Sequence, residues 1–417
     1  MAVNPPGPDV LSSDGRVADL LMVRYGEIGL KGHNRTYFLG KLRRNLRRCL
    51  RDSSVSGKVW QEGQRIFIET QQGDAALDAV QRVFGVVSVS PVQRVPASLG
   101  EIEHAAVRMA QAATLDPNAS FGVRARRSDK SFALTSPEIG REVGAAVVAA
   151  TGAQVRLSQD ADLEIAIEVR RGYALLSGRT IAGPGGMPIA SGGRVVALVS
   201  TGIDSPVAMW MMMKRGCAVI PVHFASSEAQ AEQFRAILRI LQRHAYGWDL
   251  KPVIFSHEEV FGPSLLLLRE LHAQRWTCLI CKQLMLAKAA EVARLTGASA
   301  IVTGDSLGQV ASQTLANIEA ISAGIAKPIF RPLIGFDKTE IMAIARRIGT
   351  YEASVEAAYA CPFLPNQPIT QGKMPKLQEL LAQMRHLSGA QAPAHGEGGE
   401  ALAQGVLPAI DEGVPDA

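Results

Sequence analysis

The chain has 417 residues, 47% of them hydrophobic, five cysteines and a formal net charge of +5. This length predicts two or three domains of roughly 150 residues each, and no apolar run reaches the ~20 residues of a membrane span. The N-terminus has neither the basic nor the apolar region of a signal peptide, so we expect a soluble cytoplasmic protein with no membrane partner. The odd number of cysteines indicates thiol or metal chemistry and not a disulfide framework. The positive net charge makes a polyanionic partner plausible.

The first elements along the chain predict a small α+β domain over residues 16–95. It follows residues 1–15, which are rich in Pro, Gly, Asp and Ser and are expected to be disordered. An apolar run over Ala18–Arg24 predicts the first strand, and leucine periodicity predicts a helix from Asn34 to Arg51.

This predicted helix carries six basic residues within eleven positions and no acid among them. Lys41, Arg44 and Arg48 fall on the side opposite the leucines. One interpretation is a solvated helix face. The other, which the density of charge favours, is contact with the phosphates of RNA.

A second small domain is predicted over residues 96–180. The run Phe121–Arg127 alternates apolar and basic positions, as an edge strand does. The order of its elements, with arginines on a strand, resembles a THUMP domain, an RNA-binding module of several tRNA-modifying enzymes. Arg124, Arg126 and Lys130 are the candidate phosphate contacts, and surface solubility is the alternative role for them.

The third predicted domain, residues 181–387, begins with a Gly/Pro-rich linker and then alternates short apolar strands with helices. This alternation predicts an α/β fold with a doubly wound parallel sheet. Ligands bind such sheets at the carboxyl ends of the strands. Residues 388–417 are rich in Ala, Gly, Glu and Pro, and we expect them to be a disordered tail.

The loop Ser200–Ser205 follows the first of these strands and opens a helix. It is no Walker A motif, because Lys-Ser or Lys-Thr is missing. Ser-Thr-Gly-Ile-Asp-Ser resembles the Ser-Gly-Gly-x-Asp-Ser loop of the PP-loop ATP pyrophosphatases. That resemblance implies phosphate contacts at Ser200, Gly202 and Ser205, and Mg²⁺ organised by Asp204. An ordinary turn with an Asp-Ser helix cap is the alternative.

The stretch Val302–Thr314 is the most specific in the chain. Together with Arg24–Ile28, the Gly-Gly-Met-Pro linker at 185–188 and Arg331–Leu333, it resembles the tRNA 4-thiouridine synthetase family (tRNA sulfurtransferase, ThiI), over roughly residues 18–385. The resemblance implies that a ferredoxin-like and a THUMP domain hold tRNA. It implies that the PP-loop domain adenylates uridine 8 at O4 and that sulfur then displaces AMP.

The same resemblance implies further ATP contacts. These are Leu198, Val199, His223, Phe224, Lys282, Gly304 and Gln313. Gly304 follows a strand, where a nucleotide can approach the backbone, and Lys282 near a helix start can neutralise phosphate charge. For Gln313 the alternative is an amide on a helix surface. For Asp337–Glu340 a capping box is favoured over a catalytic role.

The cysteines decide the sulfur chemistry. Cys278 and Cys281 can present two thiolates to one metal, and Cys361 lies where the family carries its catalytic cysteine. The chain as given has no rhodanese domain. Its resemblance to family members that lack this domain implies that Cys278, Cys281 and Cys361 hold an iron–sulfur cluster with one iron open to sulfide. The alternatives are a zinc or structural site and a persulfide on Cys361 alone. Cys49 and Cys217 are predicted to be structural.

We therefore predict an ATP-dependent tRNA sulfurtransferase with Cys361, Asp204 and Ser200 as catalytic residues. The sulfur donor is sulfide or the persulfide of a cysteine desulfurase, and the family suggests a homodimer. The rival functions are another PP-loop ligase, a non-catalytic tRNA-binding protein, and sulfur supply to the thiazole of thiamine.

Overall fold

The computed structural model describes residues 20–158, 160–356, 361 and 363–387, and these fall into two compact units that meet in sequence at Gly186 and Met187. The two segments predicted to be disordered, 1–15 and 388–417, lie outside the described residues. Within the described ranges, no helix is long and apolar enough to cross a membrane.

The first unit contains ten strands and four helices among its described residues. The strands are β1 Leu20–Tyr25, β2 Lys58–Glu62, β3 Arg65–Glu69, β4 Val86–Pro91, β5 Gln93–Pro96, β6 Ser120–Arg127, β7 Gln154–Val155, β8 Leu163–Arg170, β9 Tyr173–Ser177 and β10 Ile181–Ala182. The helices are α1 Arg35–Asp52, α2 Gly73–Val80, α3 Leu99–Ala112 and α4 Ser136–Thr151.

Its first sheet has the order β10-β4-β1-β3-β2, and every neighbouring pair is antiparallel. The leucine stripe of α1 is buried as predicted: Leu42 and Leu46 are fully inaccessible. Burial of one such side chain stabilises the fold by about 2 kcal/mol. Since β10 pairs with β4, the first unit extends to Gly186, beyond the boundary predicted at residue 180.

Its second sheet has the order β5-β9-β8-β6-β7 and mixes parallel with antiparallel pairs. α3 and α4 cover the face that buries Phe121 and Ile165. The sequence pattern also predicts a strand over Val155–Leu157; the observed strand is Gln154–Val155, and Leu157 is 74% exposed. Leu157 lies beyond the last paired residue of this strand, and hydrophobic periodicity does not show where strand pairing ends.

The second unit is an α/β layer structure. Its strands are β11 Arg194–Leu198, β12 Ala218–Ala225, β13 Val253–Ser256, β14 Ala300–Val302 and β15 Ile329–Phe330. Its helices are α5 Asp204–Lys214, α6 Glu228–Gln242, α7 His257–Glu270, α8 Thr277–Leu295, α9 Leu315–Ser322, α10 Lys338–Ile348, α11 Tyr351–Val355 and α12 Met374–Leu387.

The sheet of the second unit has the order β13-β12-β11-β14-β15, and all its pairs are parallel. The chain therefore winds outward from β11 in both directions, which confirms the predicted doubly wound fold. Val196 and Val222 on the central strands are fully buried, as expected for a sheet covered on both faces.

The sequence pattern predicts helices from near Pro263 to His272 and from Cys281 to Thr296, and both begin earlier in the structure. α8 starts at Thr277, not at Cys281, so both Cys278 and Cys281 lie in its first turns. α7 starts at His257 and contains Pro263 in its interior, where the sequence suggested a helix start. The first turn of α8 packs against the core, with Thr277, Leu279 and Ile280 buried, so the 3.6-residue alternation with polar positions is missing there. The first turn of α7 exposes Glu258 and Glu259, and its N-cap Ser256 accepts from the Glu259 N–H.

Candidate functional site

A cavity of about 390 Å³ lies beyond the carboxyl ends of β11, β12 and β14, within the size range of small-molecule sites. It brings together all of the residues that the sequence predicted as ATP contacts. They are Leu198, Val199, Ser200, Gly202, Asp204, Ser205, His223, Phe224, Lys282, Gly304 and Gln313. Cys361 lines the same cavity, so the predicted nucleotide and sulfur residues share one space.

The loop between β11 and α5 is tied back on itself by two serines. The Ser200 backbone N–H donates to Ser205 Oγ at 2.8 Å, and the two hydroxyl oxygens lie 2.9 Å apart. Ser200 Oγ also accepts from the Gly202 N–H, at 3.3 Å. These bonds hold the loop at the amino end of α5, where the helix dipole favours an anion.

Gly304 is required by a close approach of two backbones. A Cβ at this position would lie 2.7 Å from Ser205 Cα and 2.8 Å from Ser205 N. The position of Gly304 after a strand predicts the close approach of a nucleotide. In the structure the close neighbour is the first turn of α5, so Gly304 allows β14 to pack against the Ser200–Ser205 loop.

Asp204 is held by two residues that the sequence did not assign to it. Lys338 Nζ lies 2.5 Å from Asp204 Oδ1, and Gln309 Nε2 donates to Oδ2 at 2.8 Å. The predicted capping box at the start of α10 is confirmed, since Asp337 accepts from the Glu340 N–H at 2.9 Å. The cap thus presents Lys338, the first residue of the helix, to the loop.

Asp305 is the central carboxylate of the cavity and is only 7% exposed. Lys282 Nζ lies 2.9 Å from its Oδ1, and Arg331 Nε lies 3.3 Å from its Oδ2. Thr303 and Gln313 donate further hydrogen bonds to it. Burial alone would raise the pKa of Asp305, but Lys282 and these other partners lower it below the ordinary value. Asp305 is therefore ionised and fixes the direction of Lys282.

His223 is buried and its tautomer is determined by the backbone. Its Nδ1 lies 2.8 Å from the carbonyl oxygen of Val199, which can only accept, so Nδ1 carries the proton. The ring stacks on Phe234 with centroids 4.5 Å apart. Burial lowers the pKa of His223, which keeps the ring neutral. Nε2 of His223 and Oε1 of Gln313 are buried without a hydrogen-bond partner among the described residues.

The buried position of Gln313 makes the alternative of a surface amide wrong. Gln313 is 8% exposed and lies in a short 3₁₀ helix, Ala311–Gln313, that lines the cavity. The sequence predicts no element for this stretch, because three residues are too short for any periodic pattern.

The three candidate metal-binding cysteines interact electrostatically. Burial raises the pKa of the Cys281 thiol to about 12, and the charges of Cys361 and Cys278 add to this effect. Burial and Cys361 likewise raise the pKa of Cys278, against the opposing effect of Lys282. Cys361 lines the cavity together with Lys282 and Met285 of α8, the helix that carries Cys278 and Cys281. Yet among the residues that the structure describes, no three His, Cys, Asp or Glu side chains are arranged to hold a metal ion.

The remaining cysteines are both buried: Cys49 is fully inaccessible and Cys217 is 7% exposed. Burial raises the pKa of Cys217, which keeps it a protonated thiol. This environment agrees with the structural role predicted for them.

The candidate RNA contacts lie on two elements of the first unit. Lys41, Arg44 and Arg48 are on α1, and Arg124 and Arg126 are on β6 with Lys130 in the following loop. Arg48 is paired with Asp52 at 3.2 Å and Arg124 with Glu164 at 2.7 Å. Within the described part of the chain, Arg44, Arg126 and Lys130 are exposed and form no ion pair, so their charges are available to a partner.

Three residues of the site are not predicted from the sequence: Gln309, Lys338 and Arg331. Each contacts a carboxylate that lines the cavity, Asp204 or Asp305, from a loop or helix end distant in sequence from that carboxylate. One feature of the sequence indicates that such partners exist: Asp305 follows a predicted central strand directly. A carboxylate buried there needs cationic partners to be stable.

Comparison with protein families divides the chain into three matched regions. Residues 20–90 match the ThiI ferredoxin-like domain, 96–178 the THUMP domain and 190–385 the family described as thiamine biosynthesis protein (ThiI).

Similar proteins with curated descriptions span almost the whole chain. A probable tRNA sulfurtransferase of Thermococcus kodakarensis is 38% identical, over 87% of this chain and 96% of its own length. A probable tRNA sulfurtransferase of Methanocaldococcus jannaschii is 37% identical, over 88% of this chain and 97% of its own length.

A solved structure shares the architecture. The crystal structure of a 4-thiouridine synthetase–RNA complex with bound ATP superposes with a TM-score of 0.77 at 32% identity, covering 89% of this chain and 95% of that one. The structure of PH1313 from Pyrococcus horikoshii gives a TM-score of 0.62 at 29% identity, covering 79% and 99%.

Proposed function

We propose a reaction for this chain from the premise that it belongs to the tRNA sulfurtransferase family: its activity is ATP-dependent transfer of sulfur to tRNA, and its product is 4-thiouridine at position 8. The observation that carries the proposal is the single cavity lined by both the Ser200–Ser205 loop and Cys361. A nucleotide and a sulfur atom can reach the same nucleobase only if their residues share one space.

In the first step, O4 of the uridine attacks the α-phosphorus of ATP and pyrophosphate leaves. The backbone of Gly202 and the hydroxyls of Ser200 and Ser205 receive the phosphates at the start of α5. Lys282 and Lys338 supply positive charge where negative charge develops on the leaving pyrophosphate. The uridine then carries AMP on O4.

Mg²⁺ fits the carboxylate of Asp204, which is partly exposed and faces the cavity. A carboxylate together with ATP phosphates is the usual ligand set of Mg²⁺, and the ion neutralises phosphate charge. Lys338 now occupies one oxygen of Asp204, so this lysine would exchange Asp204 for a phosphate when the metal–nucleotide complex enters.

In the second step, sulfur bonds to C4 of the uridine and AMP leaves with the former O4. Cys278, Cys281 and Cys361 would hold an iron–sulfur cluster, which supplies an iron that can bind sulfide. The donor set fits this group, because thiolates are the usual ligands of such clusters and Cys361 lines the cavity together with residues of α8, the helix that carries Cys278 and Cys281. Cys361 lines the cavity and is exposed, so it is the cysteine nearest to the reacting base among the three.

tRNA is the proposed partner of the first unit. Arg44, Arg126 and Lys130 are exposed and form no ion pair with a described residue, and Lys41, Arg48 and Arg124 add charge on the same elements. The sulfur donor is proposed to be sulfide or a desulfurase persulfide, and the active form a homodimer. A cytoplasmic location follows from tRNA as the substrate.

A second route for the sulfur is a persulfide on Cys361 alone. The exposure of Cys361 favours it, since an exposed thiol can receive sulfur from another protein. Sulfur supply for the thiazole of thiamine is a further candidate, favoured by the family description that residues 190–385 match.

The test uses protein purified without oxygen and given ATP, sulfide and unmodified tRNA. We expect AMP and 4-thiouridine in equal amounts, bound iron, and loss of 4-thiouridine in Cys361→Ser and Cys278→Ser. Cys217→Ala is the matched control, because it removes a buried thiol of the same unit that does not line the cavity. An iron-free protein that thiolates tRNA from a persulfide donor would exclude the cluster and leave Cys361 as the carrier.

A further inference from the structure

Asn317, on α9, is a completely buried amide with every polar group used. Its Nδ2 donates to the carbonyl oxygens of Ala311, at 2.7 Å, and Ile369, at 2.8 Å. Its Oδ1 accepts from the backbone N–H of Gly372 at 2.7 Å. The side chain is 0% exposed. A buried amide in this state is rigid, because no water can replace any of the three partners.

These three bonds join two loops that carry proposed site residues. Ala311 opens the 3₁₀ helix that ends at Gln313, which donates to Asp305 in the cavity. Ile369 and Gly372 belong to the segment 363–372, which follows Cys361. The amide of Asn317 therefore fixes the Ala311–Gln313 loop and the segment that follows Cys361 relative to each other.

The same contact sets the segment against the two cysteines of α8. A Cβ at Gly372 would lie 2.3 Å from Leu279 Cδ2 and 2.7 Å from Asn317 Oδ1. Leu279 is fully buried and lies between Cys278 and Cys281. Gly372 thus lets the segment pack directly onto the turn of α8 that carries both thiols.

We propose that Asn317 is a positioning residue for sulfur transfer. It holds the 363–372 segment so that Cys361 meets Cys278 and Cys281 beside the Ala311–Gln313 loop. This rests on the proposed function, in which these cysteines act together. The other bonds to the segment are more exposed, among them Arg275 Nε to the Gln367 carbonyl at 3.0 Å and Thr314 Oγ1 to the Thr370 carbonyl at 2.7 Å. Asn317 is the buried anchor among them.

The first experiment measures the approach of the cysteines without any need for cofactor or turnover. The full-length apoprotein is treated with dibromobimane, which bridges two nearby thiols, and the Cys278–Cys361 and Cys281–Cys361 products are quantified by mass spectrometry. In Asn317→Asp the donor group becomes an acceptor facing two carbonyls. We expect the bridging rate to fall roughly tenfold, because buried carbonyls left unpaired drive the segment away.

Gly372→Ala tests the same contact from the segment side, and it decides the matter if Asn317→Asp fails to fold. The added methyl group would meet Leu279 Cδ2 and Asn317 Oδ1, which belong to fully buried side chains. We expect the segment to shift off Leu279 and bridging to fall here as well. Gln283→Met is the matched control. It removes a buried amide that donates to the Ala323 carbonyl at 3.0 Å, again between α8 and the end of α9, but it does not touch the segment.

The second measurement separates positioning from general loss of structure. In Gly372→Ala, KM for ATP should stay within about twofold while kcat for 4-thiouridine falls roughly tenfold, because only the sulfur step depends on the segment. Folded Asn317→Asp and Gly372→Ala proteins that bridge and thiolate at the wild-type rate would overturn the proposal. If the wild-type chain forms no 4-thiouridine at all, the proposed function fails, and the bridging rates still show whether Asn317 positions Cys361.

Discussion

At the scale of single residues, the cavity is organised by one carboxylate. Asp305 offsets Lys282 and Arg331, and without it two cations would face each other in a buried space. This arrangement leaves one net positive charge, which suits a nucleotide polyphosphate.

Asp305→Asn should lower the free energy of unfolding by about 3 kcal/mol, because it breaks a buried ion pair and leaves the cations unpaired. Since the pKa of Asp305 is lowered in the folded protein, its contribution is present above the unfolded pKa near 4 and is lost as the pH falls through the folded pKa. The difference from wild type should therefore shrink at acid pH, measured by calorimetry across a pH series.

Asp52→Asn is the control for that measurement. It removes an exposed partner of Arg48, and surface pairs contribute only about 0–1 kcal/mol. A loss from Asp305→Asn no larger than from Asp52→Asn would contradict the central role of Asp305.

Cys281 supplies a pH prediction. Its pKa of about 12 keeps the apoprotein thiol protonated at neutral pH, and alkylation needs the thiolate. We expect its rate of modification by iodoacetamide to keep rising up to about pH 11, whereas a free thiol levels off above its pKa of about 8.5. A plateau near pH 9 in peptide-resolved mass spectrometry would show that Cys361 and burial do not act on Cys281 as described.

At the scale of elements, the starts of helices place the reactive groups. α8 begins at Thr277 and therefore sets Cys278 and Cys281 three residues apart on one face. α10 begins at Lys338, and its cap directs this lysine to Asp204. The sequence predicted the cap from Asp337 and Glu340, but nothing in it indicated the partner of Lys338.

Asp337→Ala should lower the free energy of unfolding by about 1 kcal/mol, as loss of a helix cap does. We also expect kcat/KM for ATP to fall on the order of tenfold, because Lys338 loses its fixed position beside Asp204. Ser98→Ala, which removes the cap of α3 in the first unit, should cost similar stability with kcat/KM unchanged. Equal kinetic effects of the two variants would argue against a role of the α10 cap at the site.

At the scale of the whole molecule, the candidate RNA contacts and the cavity lie in different units. The first carries the exposed cations of α1 and β6, and the second carries the cavity. This division matches the order of the three family regions along the chain.

tRNA affinity should therefore depend steeply on salt, with a slope of log K against log salt near −0.9 for each phosphate neutralised on a duplex. Arg44→Gln and Arg126→Gln should each reduce that slope by about one. Arg235→Gln, whose charge is already paired with Glu228 and Glu232 in the second unit, should leave it unchanged. The slopes can be read from filter binding at several salt concentrations, and a flat dependence would contradict RNA binding through phosphates.

By itself the sequence determined the family, the doubly wound sheet and the loop that opens α5. These depend on short-range patterns: apolar runs five residues long, a small-residue loop after a strand, and an Asp with a Glu three residues later. The interactions between residues close together in the chain can be predicted from the sequence, because the spacing of these residues determines which of them meet.

Only the tertiary structure decided which charges meet. Lys338 and Asp204 lie 134 positions apart, and Asn317 reaches Gly372 across 55. Such contacts follow from how β11, β14, α9 and α10 pack, and packing depends on the shapes of buried surfaces that no local pattern encodes. The same reason explains Gly304. A glycine is required there because the backbone of Ser205 lies against it, and the two residues become neighbours only when the sheet has formed.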